Sequence, residues 1–253
     1  MDFQISLPVF DLLILPLLAG LVVGLWFLER RWPLRVFVKN AWRRLATNTL
    51  VGAPAFVIMR LTLIPAQMAA AYWAAREGFG LLRILPIPDW AAAILGFLAL
   101  DYLLYIWHVM SHRVPWLWRL HNVHHTDRDL TVTTAFRFHF LEMIVNGIFR
   151  IAAVALFGVG ALVVLVYEGL YEAEVAFHHS NWRLFLKWDK ALSWIIVTPR
   201  MHGIHHSEIK EETDSNYSSF FSIWDRLHRT LRLNKKQKDI VIGVPGYRDG
   251  FDL

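Results

Sequence analysis

A long apolar run near the N-terminus constrains the fold of this chain more than any other feature. Residues 7–28 are apolar except for Asp11 near the start of the run. A helix needs about 20 apolar residues to cross the hydrocarbon core of a bilayer. No basic segment precedes the run, and no small-residue cleavage site is evident. We therefore expect a retained membrane-spanning helix and not a signal peptide.

Three further apolar stretches follow, at residues 45–75, 90–107 and 140–177. The last stretch would form a helix of about 55 Å at 1.5 Å per residue, which exceeds the length of one crossing. Gly158 and Gly160 lie near its centre, where a turn would form. We predict a helical hairpin there. The predicted fold class is an all-α integral-membrane bundle with about four to five membrane-embedded helices.

The composition supports this class. Hydrophobic residues make up 56% of the sequence and charged residues 19%, whereas a soluble domain carries about 25% charged residues. No internal repeat or linker divides the chain, so we expect a single domain over residues 1–253. The part from Asn181 onward is polar, basic and aromatic, and we predict a His-rich helical cap without a further span.

The charge distribution predicts how the chain is oriented in the membrane. The formal net charge is +5. The densest basic segment follows the first apolar run and contains Arg30, Arg31, Arg35, Lys39, Arg43 and Arg44. By the positive-inside rule we expect this loop in the cytoplasm. The spans that follow then return the chain to the same side, so that the cap also lies at the cytoplasmic face.

Basic residues beside apolar spans fit an anionic lipid surface better than nucleic acid. We expect a bacterial inner-membrane protein that binds no nucleic acid.

Twelve histidines are the second unusual feature, and most of them fall in tight groups. The groups are one H-x-x-x-H, formed by His108 and His112, and two H-x-x-H-H, formed by His121, His124 and His125 and by His202, His205 and His206. Helical positions i, i+3 and i+4 lie on one side, so each H-x-x-H-H is predicted to present three imidazoles to one centre. Neutral imidazole is the commonest biological metal ligand, and packing alone does not require such clustering. The groups predict a metal site.

The residue types restrict the metal only in part. The chain has no cysteine, so the ligands must be nitrogen or oxygen atoms. A zinc site uses four ligands, and a catalytic one uses three plus water, so eight or nine histidines indicate two metal ions. Imidazole suits iron, copper, nickel and zinc alike, which leaves the metal open at this point. The sequence contains neither the E-x-x-H of soluble di-iron bundles nor the H-E-x-x-H of zinc proteases.

Four stretches carry a family resemblance. They are D-Y-L-L-Y-I-W-H-V-M-S-H-R, L-W-R-L-H-N-V-H-H-T-D, T-P-R-M-H-G-I-H-H-S and D-S-N-Y-S-S-F-F-S-I-W-D-R-L. In order and spacing they resemble the sterol desaturase / fatty acid hydroxylase superfamily, within a His-rich region that covers roughly residues 101–230. The resemblance implies two non-haem iron ions, with zinc as a substitute, O2 as oxidant, a lipid C–H bond as target and a separate electron-donor protein. The implied metal ligands are His108, His112, His121, His124, His125, His179, His202, His205 and His206.

The remaining histidines match the superfamily pattern less well. The superfamily places a histidine before a small polar residue after the hairpin, and His179, followed by Ser180, matches that position better than its neighbour His178. His139 lies in R-F-H-F-L-E, which resembles the family's R-x-H-P-x-E but lacks the proline, so a structural role is expected. His228 stands where many members have Phe-Gly, which affects a local turn and not the metal site.

Carboxylates near the histidines are candidates to orient the ligands. Asp101 precedes His108 and His112 on the same helix stripe, where it would accept a ring N–H. The cap offers further candidates, for which solvation of a polar surface is an equally good explanation: Asp127, Glu208, Asp214 and Asp225. An ion pair between Asp225 and Arg226 is expected to tie the cap together.

The function predicted from these features is O2-dependent hydroxylation or desaturation of a lipid, such as a sterol, a fatty acyl chain, an ether lipid or a carotenoid. Two other classes remain alternatives. A zinc-dependent membrane hydrolase would need three or four of the histidines and no electrons. A non-catalytic metal-binding or transport protein would place ionisable residues at mid-membrane, where Arg60 and Asp101 are the candidates. Measuring which metal is bound and whether the activity requires O2 would distinguish these three classes of protein.

Overall fold

The computed structural model describes residues 7–247, and within this range the chain is helical and contains no β-strand. In chain order the helices are α1 (Leu7–Arg31), α2 (Ala41–Ile58), α3 (Ile64–Glu77), α4 (Leu81–Ile84), α5 (Asp89–Arg113), α6 (Pro115–His125), α7 (Phe140–Phe157), α8 (Ala161–His179), α9 (Leu186–Leu192), α10 (Pro199–His205), α11 (Lys210–Thr213) and α12 (Ile223–Leu227). Short 3-10 turns lie at Val132–Phe136 and Gln237–Asp239. The all-α prediction is confirmed.

Four helical segments in the described part of the chain are long and apolar enough to cross a membrane: Leu12–Arg31, Ala41–Ile84, Asp89–Arg113 and Phe140–Phe157. They coincide with the predicted spans and confirm an integral-membrane helical bundle. Helix α8 has a similar length but carries several carboxylates, among them Glu168, Glu172 and Glu174. Composition alone therefore does not mark α8 as a membrane span.

The second span contains a change in helical hydrogen bonding. A π-helical turn at Met59–Leu63 joins α2 to α3, and Pro65 follows at the start of α3. Proline lacks the backbone N–H that an α-helix needs, and π-helical turns are a common way to absorb such an interruption. Arg60 lies on this turn and borders a cavity between the helices, as expected for an arginine within a span.

The predicted hairpin is confirmed. Helices α7 and α8 are joined at Gly158–Gly160, and Gly158 has a φ of +67°, in the left-handed region that favours glycine. A Cβ on Gly158 would lie 2.7 Å from the carbonyl oxygen of Phe79, and a Cβ on Gly80 would lie 2.3 Å from the nitrogen of Gly158. Glycine is therefore required on both sides of this contact, which packs the hairpin turn against the connection between α3 and α4.

Both ends of the hairpin return to one side of the bundle. Glu142, in the first turn of α7, contacts His121, and His179, at the end of α8, contacts His124. The hairpin therefore brings His179, which follows it, to the same end of the bundle as His121 and His124, which precede it.

The basic loop between α1 and α2 lies on that same side. Glu29 accepts hydrogen bonds from the backbone N–H groups of Val132 and Asn181, both at 2.9 Å. The buried Arg35 guanidinium donates to the carbonyl oxygen of Pro199 at 3.2 Å and to Gln237 at 2.6 Å. These contacts fasten the loop to the segments that carry the histidines.

Candidate metal centre

Nine of the histidines come together from four helices. Helix α5 contributes His108 and His112, α6 contributes His121, His124 and His125, α8 contributes His179, and α10 and its C-cap contribute His202, His205 and His206. All nine are buried, with exposed fractions of 8% or less. These are the nine residues that the sequence predicts as metal ligands.

The nine side chains form two groups. The first group is His108, His112, His121, His125 and His205, and the second is His124, His179, His202 and His206. Within each group, one ring nitrogen per residue lies within 4.8 Å of the others. Each H-x-x-H-H is thus divided between the groups, and the prediction that it presents three imidazoles to one centre is wrong. The reason is that residues i+3 and i+4 diverge by about 100° around a helix, so only the i, i+4 pairs stay together.

Backbone carbonyl groups orient several rings through their Nδ1 atoms. The contacts are His108 to Tyr217 at 2.7 Å, His205 to Ser215 at 2.8 Å, His179 to Val175 at 2.7 Å and His124 to Arg137 at 3.2 Å. A carbonyl oxygen only accepts hydrogen bonds, so Nδ1 carries the proton in each ring and Nε2 keeps a free lone pair. Burial keeps these imidazoles neutral: it lowers the pKa of His205 to about 3 and the pKa of His124 well below its ordinary value.

The second group fits a metal ion. The Nε2 atoms of His124 and His179 lie 2.9 Å apart, as do those of His179 and His202. Because His124 and His179 both hold their proton on Nδ1, neither Nε2 donates to the other, and two lone pairs face each other. A cation between them removes this repulsion. Nitrogens at neighbouring coordination positions lie about 3 Å apart when the metal–nitrogen bonds are about 2.1 Å.

The first group fits a second metal ion. The buried Nε2 atoms of His108, His112 and His205 have no hydrogen-bond partner among the described residues. An unsatisfied buried nitrogen costs about 1–3 kcal/mol. The Nε2 atoms of His121 and His125 also converge, at 3.2 Å. A metal ion would satisfy all of these atoms, and the all-nitrogen, neutral donor set suits iron as well as zinc.

A carboxylate that the sequence reasoning missed holds one of these rings. Glu142 is buried, and its Oε1 lies 2.7 Å from Nδ1 of His121. In the stretch R-F-H-F-L-E the sequence analysis considered only His139. Glu142 ends that stretch and corresponds to the glutamate of R-x-H-P-x-E, which was the available signal. A second carboxylate, Asp214, was among the predicted candidates, and its Oδ1 lies 3.9 Å from Nδ1 of His112.

Asp101 contacts no imidazole within the described structure, so its predicted role in orienting a ligand is wrong. Its carboxylate accepts hydrogen bonds from Nε1 of Trp224 at 2.6 Å, from the backbone N–H of Phe221 at 3.1 Å and from the hydroxyl of Tyr167 at 3.1 Å. Seven residues of α5 separate it from His108, which amounts to about 10 Å along the helix axis. Asp101 instead ties α5 to α8 and to the cap.

The cap is also held by contacts other than the predicted one. Asp225 accepts hydrogen bonds from the backbone N–H groups of Tyr217 at 2.8 Å and Ser218 at 3.0 Å. Arg226 donates to the carbonyl oxygen of Ser193 at 2.8 Å. The expected ion pair between Asp225 and Arg226 is therefore wrong, because a loop that folds back over the aspartate supplies donors closer than the neighbouring side chain.

Three histidines lie outside both groups. The Nδ1 atom of His139 accepts a hydrogen bond from the backbone N–H of Leu141 and caps α7. The Nε2 atom of His228 lies 3.1 Å from the hydroxyl of Tyr102. His178 is buried beside His179 but does not belong to either group. In the structure His179 therefore belongs to the second group, whereas His178 lies outside both.

A largely apolar cavity adjoins both groups. The histidines on its wall are His108 and His121 from the first group and His124, His179 and His202 from the second. Apolar side chains line much of the rest, among them Phe56, Met59, Leu104, Trp107 and Val175. Small-molecule sites have this character, with an apolar wall and a few polar groups that converge on one point.

Together the fold and the site define an integral-membrane helical protein with a buried polyhistidine candidate metal centre beside an apolar cavity. The sequence model of fatty acid hydroxylases matches residues 93–230, which is more than half of the chain. The chain belongs to the fatty acid hydroxylase family. The matched range contains all nine clustered histidines, and the predicted resemblance is confirmed.

Proteins similar to this chain include several hydroxylases and monooxygenases. The ornithine lipid hydroxylase OlsE of Rhizobium tropici is 32% identical over 157 residues, which cover 60% of this chain and 45% of that protein. Alkylglycerol monooxygenase of Xenopus tropicalis is 29% identical over 148 residues, which cover 56% of this chain and 31% of that protein. Cholesterol 25-hydroxylase of Homo sapiens is 26% identical over 138 residues, which cover 53% of this chain and 49% of that protein. The chain spans less than half the length of each of these relatives. No solved structure matches it.

Proposed function

We propose that this protein is a membrane-bound, non-haem di-iron oxygenase that hydroxylates or desaturates a lipid with O2 and external electrons. The observation that carries the proposal is the pair of histidine groups, whose Nε2 atoms converge beside an apolar cavity. The relatives support the same chemistry, because their names denote hydroxylases and monooxygenases. The whole chain would act as one domain, with the catalytic histidines inside residues 101–230.

The nine grouped histidines are the proposed ligands, five for one iron and four for the other. When bound, the iron pair supplies the activation of O2 and the oxidation of a lipid C–H bond. The chain holds several of these rings in place: backbone carbonyl groups accept the Nδ1 protons of His108 and His205, and Glu142 accepts that of His121. Such partners fix the tautomer and increase the basicity of the ligating nitrogen.

The cavity would bind the lipid segment that is oxidised. Leu104 and Trp107 on α5 and Val175 on α8 line it together with the proposed ligands His108 and His179. Apolar walls exclude water and favour a hydrocarbon segment, so the carbon nearest the histidines would be held in a dry environment.

The active site is proposed to face the cytoplasm of a bacterial inner membrane. The α1–α2 loop carries the densest basic segment, and Arg35 and Glu29 join this loop to the histidine side of the bundle. A basic loop next to a span favours the cytoplasm, which supports the same location for the histidines.

The electrons are proposed to come from a separate donor protein that docks on the cap. A cleft on the cap side is lined by His112, Trp118, Lys210 and Asp214, among other residues. The ring of Trp118 lies 5.0 Å from the ring of His112, measured between centroids. This half-buried indole therefore reaches from the cleft to a proposed ligand and offers a short route for electrons.

The first experiment is the metal content per chain. Protein purified in detergent would be loaded anaerobically with ferrous iron and measured by mass spectrometry, together with His205→Ala and the control His228→Ala. We expect about two irons per chain in the wild type and in the control, and fewer in His205→Ala. The reason is that His205 belongs to the first histidine group, whereas His228 belongs to neither group. A single zinc that survives His205→Ala would contradict the proposal and favour the hydrolase, which the names of the relatives do not favour. Incorporation of heavy oxygen from O2 into membrane lipids then tests hydroxylation, and the loss of two hydrogens from a lipid tests desaturation.

A further inference from the structure

A second cavity adjoins the one beside the histidines. It lies between α1, the α2–α3 segment and α8. It shares four lining residues with the cavity beside the histidines: Phe56, Met59, Phe136 and Glu172. Its outer wall is apolar, with Leu15 and Val22 of α1. The two cavities therefore adjoin along these four residues, and the second one lies between the histidine site and α1.

Charged residues lie along these adjoining cavities. Arg150 of α7 lines the inner cavity and forms a buried ion pair with Glu168 of α8. The guanidinium of Arg150 also lies 5.3 Å from the ring of Tyr171. This pair joins the two arms of the hairpin, so packing accounts for Arg150 and Glu168. Ionisable groups inside a membrane are costly and mark functional sites when packing does not account for them.

Packing does not account for Glu172. It is half-buried and borders both cavities, at the point where they meet. No described residue donates a hydrogen bond to it, and the nearby Arg150, whose guanidinium pairs with Glu168, acts on it only through its charge. A carboxylate can only accept hydrogen bonds when ionised. It would therefore be stabilised by a ligand that brings a donor.

We propose that Glu172 binds a hydrogen-bond-donating group, a hydroxyl or an ammonium, of the lipid substrate. This inference rests on the proposed function and specifies the substrate class. Glu172 precedes His179 by seven residues on α8, so the two lie on one helix face and roughly 10 Å apart along the axis. The substrate is thus a lipid that enters laterally past Met59 and Phe136 and carries its donor group about 10 Å from the carbon that is oxidised. A plain hydrocarbon segment would leave the carboxylate without a hydrogen-bond donor.

The test is a binding experiment that requires neither iron nor O2. The full chain in lipid nanodiscs is photolysed with hexadecanol, hexadecylamine or hexadecane, each carrying a mid-chain diazirine, and the labelled peptides are identified by mass spectrometry. We expect the alcohol or the amine to label the segments around Met59 and Phe136 at least about tenfold more than hexadecane. Glu172→Leu should abolish this preference. The control Glu77→Leu removes an exposed carboxylate at the end of α3 and should preserve it.

Two further measurements identify the donor and guard against misfolding of Glu172→Leu. Glu172→Gln keeps an accepting oxygen and loses the charge, so it should weaken labelling by the amine about tenfold and leave the alcohol nearly unaffected. The methyl ether of hexadecanol lacks a donor and should label the wild type as weakly as hexadecane. Equal labelling of the wild type by the alcohol, amine, ether and hydrocarbon, or an unchanged preference in folded Glu172→Leu, would overturn the inference. Iron content and oxygen incorporation would then still test the proposed function independently.

Discussion

The Nδ1 atom of His121 lies 2.7 Å from Oε1 of Glu142, and this contact joins α6 to the first turn of α7. Both side chains are buried. The carboxylate can accept the Nδ1 proton, which directs the Nε2 lone pair of His121 toward the first histidine group. A residue from the hairpin thus orients a proposed ligand on a different helix.

Glu142→Gln should weaken metal binding at the first group. The amide cannot carry the negative charge that makes the imidazole of His121 a better ligand, and loss of such a partner lowers metal affinity by about 10–100-fold. Competition with a chelator, followed by metal analysis, measures the effect. Glu211→Gln is the matched control, because Glu211 is exposed in the cap. Equal affinities in the two variants would contradict the role of Glu142.

The neighbours His178 and His179 should respond differently to alanine substitution. Nε2 of His179 lies 2.9 Å from Nε2 of both His124 and His202, whereas His178 belongs to neither group. His179→Ala should therefore reduce the metal content from about two ions to about one. His178→Ala should retain both ions. Metal analysis of the two purified variants is the measurement, and the opposite result would reverse the assignment.

Asp101→Ala should lower stability without removing metal. The substitution leaves the indole N–H of Trp224 and the hydroxyl of Tyr167 without their acceptor, at a cost of about 1–3 kcal/mol in the free energy of unfolding. Titration with a denaturing detergent measures that free energy. Glu77→Ala, at an exposed site, should change it by less than about 1 kcal/mol. Loss of metal from Asp101→Ala at unchanged stability would restore the ligand-orienting role.

Two glycines in membrane helices should respond oppositely to alanine. A Cβ on Gly52 would lie 2.0 Å from the carbonyl oxygen of Phe136, a backbone atom on the cavity wall, so Gly52→Ala should destabilise the fold by about 1–3 kcal/mol. Gly20 has nothing within 4 Å of an added Cβ. Gly20→Ala should therefore stabilise α1 by up to about 1 kcal/mol through helix propensity. Thermal unfolding in the same detergent compares the two, and equal melting temperatures would contradict the close approach of α2 to Phe136.

Local sequence determined much of the fold. A membrane span depends on the length and apolarity of one contiguous segment, so the spans could be predicted without knowledge of any neighbour. The hairpin was predictable because residues 140–177 exceed one crossing and contain Gly158, whose left-handed conformation the structure confirms. The nine clustered histidines were likewise recognisable, since helical spacing places i and i+4 residues on one face.

Only the tertiary structure decided which histidines from different helices meet and what surrounds them. Helix geometry separates His124 from the pair of His121 and His125, but the helices packed against α6 place His124 beside His179. The same reason made Glu142 hard to find and Asp101 misleading: a hydrogen bond needs a partner within about 3 Å, and that distance is set by the packing of separate helices. The junction at Glu172 also exists only where three packed segments leave a space between them.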